Sequence, residues 1–196
     1  MEQHPLAPFL PKQAKVLLLG SFPPSKNRWS IDFYYPNWIN DMWRIFGLVF
    51  FSNKEYFTIP SEKKFDKDKI ISFLSLQGIA VSDTAQSVTR SKGNASDKYL
   101  QVDEAMDVAS LLSQLPECSA IITTGEKAGL TLGRQVGIEP PPIGEGVSFS
   151  LEGRDYTFYR LPSSSRAYPK PIEEKAATYK KVFEVIFGQL NGDFSR

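Results

Sequence analysis

The 196-residue chain contains one cysteine, Cys118, and one histidine, His4. A lone cysteine excludes an internal disulfide and points to a reducing compartment. One Cys and one His cannot form a Cys/His cluster, so iron–sulfur chemistry and zinc sites of that composition are excluded. A Ser-His-Asp or Cys-His hydrolase would have to use His4. That residue sits in a Pro-rich stretch (Pro5, Pro8, Pro11) and reads as a solvated arm residue rather than a catalytic one. The chain also lacks an excess of charge of either sign: 23 Lys and Arg against 22 Asp and Glu give a net charge of +1. Any nucleic-acid contact must therefore come from a local patch. No apolar run approaches membrane length and the N-terminus has no signal-peptide pattern, so the expectation is a cytoplasmic protein with no membrane partner. Phosphate loops are missing too. The turn after the first apolar run, Gly20-Ser21-Phe22-Pro23-Pro24, has no Gly-Lys-Ser/Thr and too few glycines for a dinucleotide fingerprint.

What is present is ordinary for a globular protein: 41% hydrophobic and 23% charged residues. The length suits one α/β domain over 1–196, with 1–13 as an extended N-terminal arm. Short apolar runs alternate with amphipathic segments. Lys15–Leu19, Ile79–Ser82, Ala120–Thr124 and Tyr156–Leu161 are expected in one sheet, and Val147–Leu151 forms a hairpin with Tyr156–Leu161. Helices are expected from Ile39 or Asn40 to Gly47, over Asp66–Gln77 with Asp66 as N-cap, over Gln101–Leu115, from Gly125 to about Val136, and from Pro171 onward. Phe50–Phe65 and the polar stretch 84–98 read as loops, and 188–196 as a frayed end. The fold class that follows is a three-layer α/β/α sandwich around a mostly parallel central sheet.

One loop carries unusual equipment. Between Trp29 and Trp43 six aromatic rings are interleaved with Asn37, Asn40 and Asp41. In open α/β sheets, ligands bind beyond the carboxyl ends of the strands, and this loop leaves the end of the first strand. Flat rings beside amide side chains suit a planar, hydrogen-bonding group such as a nucleobase; packing of a lid or core is the other use of such rings.

The residues around this loop resemble a known pattern. Gly20-Ser21-Phe22-Pro23 after an apolar strand, then Tyr35-Pro36, then Asn40-Asp41-Met42-Trp43, resembles the first motif region of the uracil-DNA glycosylase superfamily, nearest to its mismatch-specific and hypoxanthine-type branches. Leu161-Pro162-Ser163-Ser164-Ser165 resembles the second motif, and Thr124-Gly125-Glu126-Lys127-Ala128 resembles the strand-to-helix turn between them. Asp83, Arg90, Gly93, Asn94 and Asp97 stand at places comparable to an acidic and Arg-x-Gly segment of the same family.

The resemblance implies hydrolysis of the N-glycosidic bond of a deaminated base (uracil, hypoxanthine or xanthine) flipped out of DNA, by a monomer without cofactor or metal. It assigns catalysis to Asn40, with Asn37 as a competitor because the spacing after Pro36 is two residues longer than the usual pattern. It assigns base binding to Gly20, Ser21, Phe22, Phe33, Tyr34, Tyr35 and Asp83. DNA binding falls to Pro162, Ser163, Ser164, Ser165 and Arg166, with Lys26, Arg28, Arg90, Lys92 and Lys170 completing a basic rim. Phe22 stands where the mismatch-specific branch has a catalytic Asn, and Arg166-Ala167-Tyr168 replaces a Pro-Ala-Asn. The rival class is a non-catalytic nucleic-acid- or nucleotide-binding protein. A small-molecule hydrolase using Asp83 or Asp97 is a third. For the serines, the plain alternative is a cap on the last helix.

Overall fold

The structure is a computed structural model that describes residues 1–91 and 97–190. In chain order its elements are β1 (Glu2–Gln3), β2 (Val16–Gly20), α1 (Met42–Phe51), β3 (Thr58–Ile59), β4 (Lys64–Phe65), α2 (Lys67–Gln77), β5 (Ile79–Asp83) and β6 (Ala85–Arg90), then β7 (Leu100–Ala105), α3 (Val108–Ser113), β8 (Ala120–Thr124), α4 (Glu126–Val136), β9 (Gly146–Leu151), β10 (Arg154–Leu161) and α5 (Ile172–Phe187).

Five strands form the central sheet in the order β5-β2-β8-β10-β9. The pairings of β2 with β5, β2 with β8, and β8 with β10 are parallel, and only β9 runs antiparallel, through the hairpin to β10. Strands β5, β2 and β8 are short and buried along their whole length because helices and loops cover both of their faces. Along β2 the side chains alternate between two cores. Val16 and Leu18 join α1, α2 and α5, while Leu17 and Leu19 join α3 and α4. This is the expected α/β/α sandwich, and the 15–19 and 120–124 segments do pair, Val16 opposite Ala120 through Leu19 opposite Thr123.

The larger core is aromatic. Phe46 and Phe50 of α1 meet Phe73 of α2 and Phe183 of α5, with ring centroids 4.8 to 6.3 Å apart. This packing explains why α1 runs on past Gly47 to Phe51. A mid-helix glycine costs about 1 kcal/mol against alanine, and burying Val49 and Phe50 outweighs that. Gly47 is also required sterically, since a Cβ there would lie 2.3 Å from the Asn53 carbonyl oxygen, where the chain folds back after the helix. The helix starts at Met42, two or three residues later than expected, because Asn40 and Asp41 serve the turn before it.

Two expectations are corrected. The stretch after Asp83 is not a solvated loop: Ala85–Arg90 is a strand, paired with β7 on one side and with β1 on the other. Gln101–Leu115 is not one helix either. Its first part is β7, and only Val108–Ser113 is helical, with Asp107 accepting from the Ser110 amide at 3.0 Å. The helical spacing from Ala105 to Leu115 misled because the same residues also fit a strand followed by a short helix. Pairing decides: Leu100 and Val102 cover Val88 and Ala85 in a small apolar cluster of their own, and the Met106 amide donates back to the Thr84 carbonyl. Within Phe50–Phe65, Thr58–Ile59 and Lys64–Phe65 form a two-stranded pair. The readings of Gly93, Asn94, Lys92 and 191–196 fall outside the described residues.

The arm is more firmly held than its proline content suggests. Glu2 and Gln3 pair with Val88 and Ser87, the His4 amide donates to the Gln86 carbonyl, and Phe9 exchanges two backbone hydrogen bonds with Val81 at the sheet edge. Among the described residues no helix is long and apolar enough to cross a membrane.

The aromatic core gives a direct stability test. Phe46→Ala should lower unfolding free energy by about 3–5 kcal/mol in a denaturant titration, whereas Val185→Ser, at a site 65% exposed, should change it by less than about 0.5 kcal/mol. A Phe46→Ala protein as stable as the parent would contradict the packing described.

Candidate functional site

The parallel strands end together, and a cleft of about 1010 Å³ opens beyond their carboxyl ends. Its floor is set by register. Gly20 is paired with Asp83, and Thr124 with Leu161. Thr84 anchors the corner through its amide and hydroxyl, both donating to the Gly20 carbonyl at 2.8 and 3.0 Å. Glycine at position 20 leaves room for two polar side-chain ends: a Cβ would stand 2.6 Å from Asp83 Oδ1 and 2.8 Å from the Tyr35 hydroxyl, and both would have to shift. These two oxygens therefore converge over the bare backbone of Gly20.

Tyr34 and Tyr35 part company at this point. Tyr35 adopts φ of 50°, a left-handed conformation that costs a bulky residue of order 1–3 kcal/mol. That turn sends its ring into the cleft, where the hydroxyl meets Thr124 Oγ1 at 2.9 Å. Tyr34 goes the other way, into the core, and donates to the Ala7 carbonyl at 3.1 Å. Burial pushes its phenol pKa up, with the Asp83 carboxylate adding to the effect.

One wall of the cleft is built around Asn40. Its Oδ1 accepts from the Met42 amide at 2.9 Å and from the Ser164 hydroxyl at 2.9 Å. A backbone N–H can only donate, so the orientation of the amide is determined by its partners. The oxygen is engaged twice, which leaves the NH₂ group as the end available to the cleft that Asn40 lines. Asn37 also lines the cleft, but its Oδ1 accepts from the Ile39 amide at 3.3 Å within an exposed turn. Ser164 is buried, and its carbonyl accepts from the Asp41 amide at 3.1 Å, so the two motif segments are tied together by both backbone and side chain.

A charged group behind this wall holds the Ser163–Tyr168 loop in place. Asp41 is flanked by two guanidinium groups, Arg44 Nη1 at 3.3 Å and Arg166 Nη2 at 3.1 Å. Arg44 is buried, lies over the Trp38 ring at 4.3 Å, and donates to the Trp38 and Asn40 carbonyls. Lys175 of α5, 2% exposed, donates to the Ser165 carbonyl at 2.9 Å. Burial lowers its pKa, and the Asp41 carboxylate pulls the other way. The three serines do not cap α5, whose N-cap is Pro171 with no side-chain capping bond. Ser163 and Ser165 instead accept from the Ser165 and Ala167 amides inside the loop.

The structure brings Gly20, Ser21, Phe22, Tyr35, Asp83, Asn40, Ser163, Ser164, Ser165 and Arg166 to one cleft. It leaves out three residues named with them. Phe33 and Tyr34 are buried, Phe33 stacked on Trp43 at 6.2 Å, so neither presents a face to a ligand. Consecutive aromatics in a turning loop cannot all face one way, and core burial claimed these two. Pro162 is buried too, and its carbonyl accepts from the Tyr179 hydroxyl at 2.6 Å.

The basic rim is revised. Arg28 and Arg166 line the cleft, as do Lys98 and Lys127, whose positions in a polar stretch and an ordinary strand-to-helix turn gave no signal in the sequence. Lys26 and Lys170 are exposed but lie outside the lining, and Arg90 is occupied by Glu2 at 2.9 Å. The four lining cations face two carboxylates, Asp83 and Glu126, so the cleft is locally basic in a nearly neutral chain.

His4 overturns its reading as a solvated residue. Its side chain is 1% exposed, and Nε2 lies 2.7 Å from Asp83 Oδ2. Antiparallel pairing of β1 with β6 carries the arm across the strand that follows Asp83. A single histidine in a proline-rich segment gives no sequence signal for such a long-range contact.

No family model matches the chain, and no curated protein matches it. Among solved structures, the chain is similar to a solution NMR structure from Methanosarcina acetivorans provisionally named a uracil DNA glycosylase. The two share 24% identity over 91% of this chain and 96% of that one, with a TM-score of 0.59. This likeness shows the fold.

Asn40 is also structural, which sets an expectation for its removal. Asn40→Ala uncaps Met42 and strands the buried Ser164 hydroxyl, so thermal or denaturant unfolding should show a loss of about 1–2 kcal/mol. Unchanged stability would contradict the clamp described here.

Proposed function

We propose that the chain is a monofunctional DNA glycosylase of the uracil-DNA glycosylase type, hydrolysing the N-glycosidic bond of a deaminated base without a cofactor. The observation that carries this reading is the clamped amide of Asn40. When the glycosidic bond breaks, its electron pair leaves with the base, and the sugar becomes oxocarbenium-like. Donors already aimed at the departing base stabilise that charge without reorganising, and one such donor is worth about 2.7–4 kcal/mol where it has been measured in acyl transfer. With Oδ1 occupied by Met42 and Ser164, Asn40 acts as a donor to the base and not as the acceptor of a water. A water then adds to the sugar carbon, and the base takes up a proton on leaving.

The remaining lining fits this chemistry. The cleft can take a flipped nucleotide, Tyr35 and Phe22 supply rings at its inner end, and Arg28, Lys98, Lys127 and Arg166 surround it with positive charge. Extrusion costs a few kcal/mol, least for a mispaired base. The likeness to the solved structure named above supports the same reading at the level of fold.

A second reading, a binding protein of the same fold without activity, draws on Phe22, whose ring replaces a polar group next to the floor. The two are separated by incubating the protein with oligonucleotides bearing uracil, hypoxanthine or xanthine and then treating with alkali. The glycosylase reading predicts strand cleavage at the damaged base. It also predicts that Asn40→Asp loses excision by at least about 100-fold, while stability stays near the parent's, because a carboxylate still accepts from Met42 and Ser164 but cannot donate. Retained binding with no cleavage by the parent would favour the binding protein.

Arg166 gives an independent check on the DNA interface. Its side chain is 55% exposed while it pairs with Asp41, so it is available to a phosphate. Arg166→Ala should reduce the slope of log affinity against log salt by about 0.9, one phosphate's worth on duplex DNA. An unchanged slope would place the loop outside the interface.

A further inference from the structure

We infer that the N-terminal arm braces the base pocket from behind, with His4 as a positioning residue that locks Asp83 so that its second oxygen reads an N–H on the edge of the bound base. The inference rests on the glycosylase reading for the nature of the ligand, but its geometry stands apart from the cleavage step.

The pair is buried and specific. His4 Nε2 donates to Asp83 Oδ2 at 2.7 Å, with side-chain exposures of 1% and 7%. The imidazole is held on its other side as well. Nδ1 lies 3.0 Å from the Leu6 carbonyl and 3.2 Å from the Leu6 amide. Phe22 meets the ring edge-on at 5.1 Å, and Tyr34 lies at 5.9 Å. The backbone behind it is secured by the His4 amide donating to Gln86, by the pairing of Glu2 and Gln3 with β6, and by the Arg90–Glu2 ion pair.

This arrangement fixes the carboxylate in rotation. Oδ2 is taken by His4, and Oδ1 is turned over Gly20 at the cleft floor, beside the Tyr35 hydroxyl. An ionised carboxylate only accepts hydrogen bonds. What it selects is therefore a ligand with an N–H at that point. Deamination creates such a group. The ring nitrogen that carries a lone pair in cytosine or adenine becomes an N–H in uracil or hypoxanthine. A carboxylate oxygen at the floor attracts the deaminated base and repels the lone pair of its parent. Thymine and guanine carry the same N–H, so other contacts must exclude them. Phe22, at a position that resembles a catalytic amide in a related branch, here serves as a side wall for the histidine.

The test uses base pairs that differ only at this N–H: uracil with 3-methyluracil, and hypoxanthine with 1-methylhypoxanthine. His4 is the only histidine, so its imidazole nitrogen signals are a resolved NMR reporter at the site. In the parent protein, one unmethylated base should shift the His4 signals and bind on the order of 10- to 100-fold more tightly than its methylated partner. In His4→Ala this preference should collapse. In His4→Gln, whose amide can donate from nearly the same place, most of it should return. Excision kinetics would then show a raised KM for His4→Ala with partial recovery in His4→Gln.

Outcomes separate the two ideas. If the protein excises a base and folded His4→Ala keeps both KM and the N–H preference, the inference falls and the glycosylase reading stands. If nothing is excised but the His4 signals respond to uracil or hypoxanthine and not to the methylated base, the inference holds and the enzyme reading falls. If no base moves the His4 signals, the inference is wrong, whatever the activity. Should His4→Ala fail to fold, His4→Gln and the parent NMR titration still decide.

Discussion

The backbone hydrogen bonds between β2 and its two parallel neighbours set where every cleft residue stands. They bring Gly20 level with Asp83 on one side and Leu19 level with Thr123 on the other. A slip of one residue would turn Leu17 and Leu19 out of one core and into the other, so burial on both faces holds the register. The consequence for the site is a floor whose polar groups, Asp83, Thr124 and the Gly20 backbone, are supplied by strand ends rather than by free loops. Such a floor is stiff, and stiffness is what a pocket needs if one hydrogen bond is to discriminate between ligands.

On this floor two loops stand as walls, and their mutual contacts are mostly polar. Asn40 and Ser164 share a hydrogen bond, the Asp41 amide reaches the Ser164 carbonyl, and Arg166 returns to Asp41. Arg44 and Lys175 bring two buried cations to the same place as the exposed Arg166, so the carboxylate of Asp41 organises three basic side chains. Removing that carboxylate would leave buried positive charge without its counterion, a costly state. The loops are thus coupled. A change on the Ser163–Tyr168 side is felt by the amide of Asn40, although 124 residues separate Asn40 from Ser164.

Sequence reading reached some of this and missed the rest for identifiable reasons. Strands β2, β5 and β8 were legible because they are buried on both faces and so mostly apolar, and β9 and β10 because a turn joins two alternating runs. Helices α2 and α5 were legible from Asp66 and Pro171 at their starts. The strands outside the central sheet were not. Strand β6 has only Ala85 and Val88 as apolar signals, and β7 is held by pairing, not by its own pattern. The pairing of β1 with β6 depends on contacts between residues about 85 positions apart, which local periodicity cannot report. At the site, motif spacing located Gly20, Asn40 and Ser164 but gave no orientation. That Phe33 and Tyr34 turn inward while Tyr35 turns outward follows from one left-handed backbone conformation. That His4 reaches Asp83 follows from the path of the arm.

On the proposed function, a flipped base sits between the amide of Asn40 and the carboxylate of Asp83. A crystal structure with duplex DNA carrying a cleavage-resistant 2′-fluorinated deoxyuridine or deoxyinosine tests it most directly. The account predicts the base in the cleft, the Asn40 NH₂ within about 3.2 Å of a base carbonyl oxygen, and Asp83 Oδ1 at similar distance from the ring N–H. A base left stacked in the duplex, or one bound with its edge turned away from both residues, would contradict it.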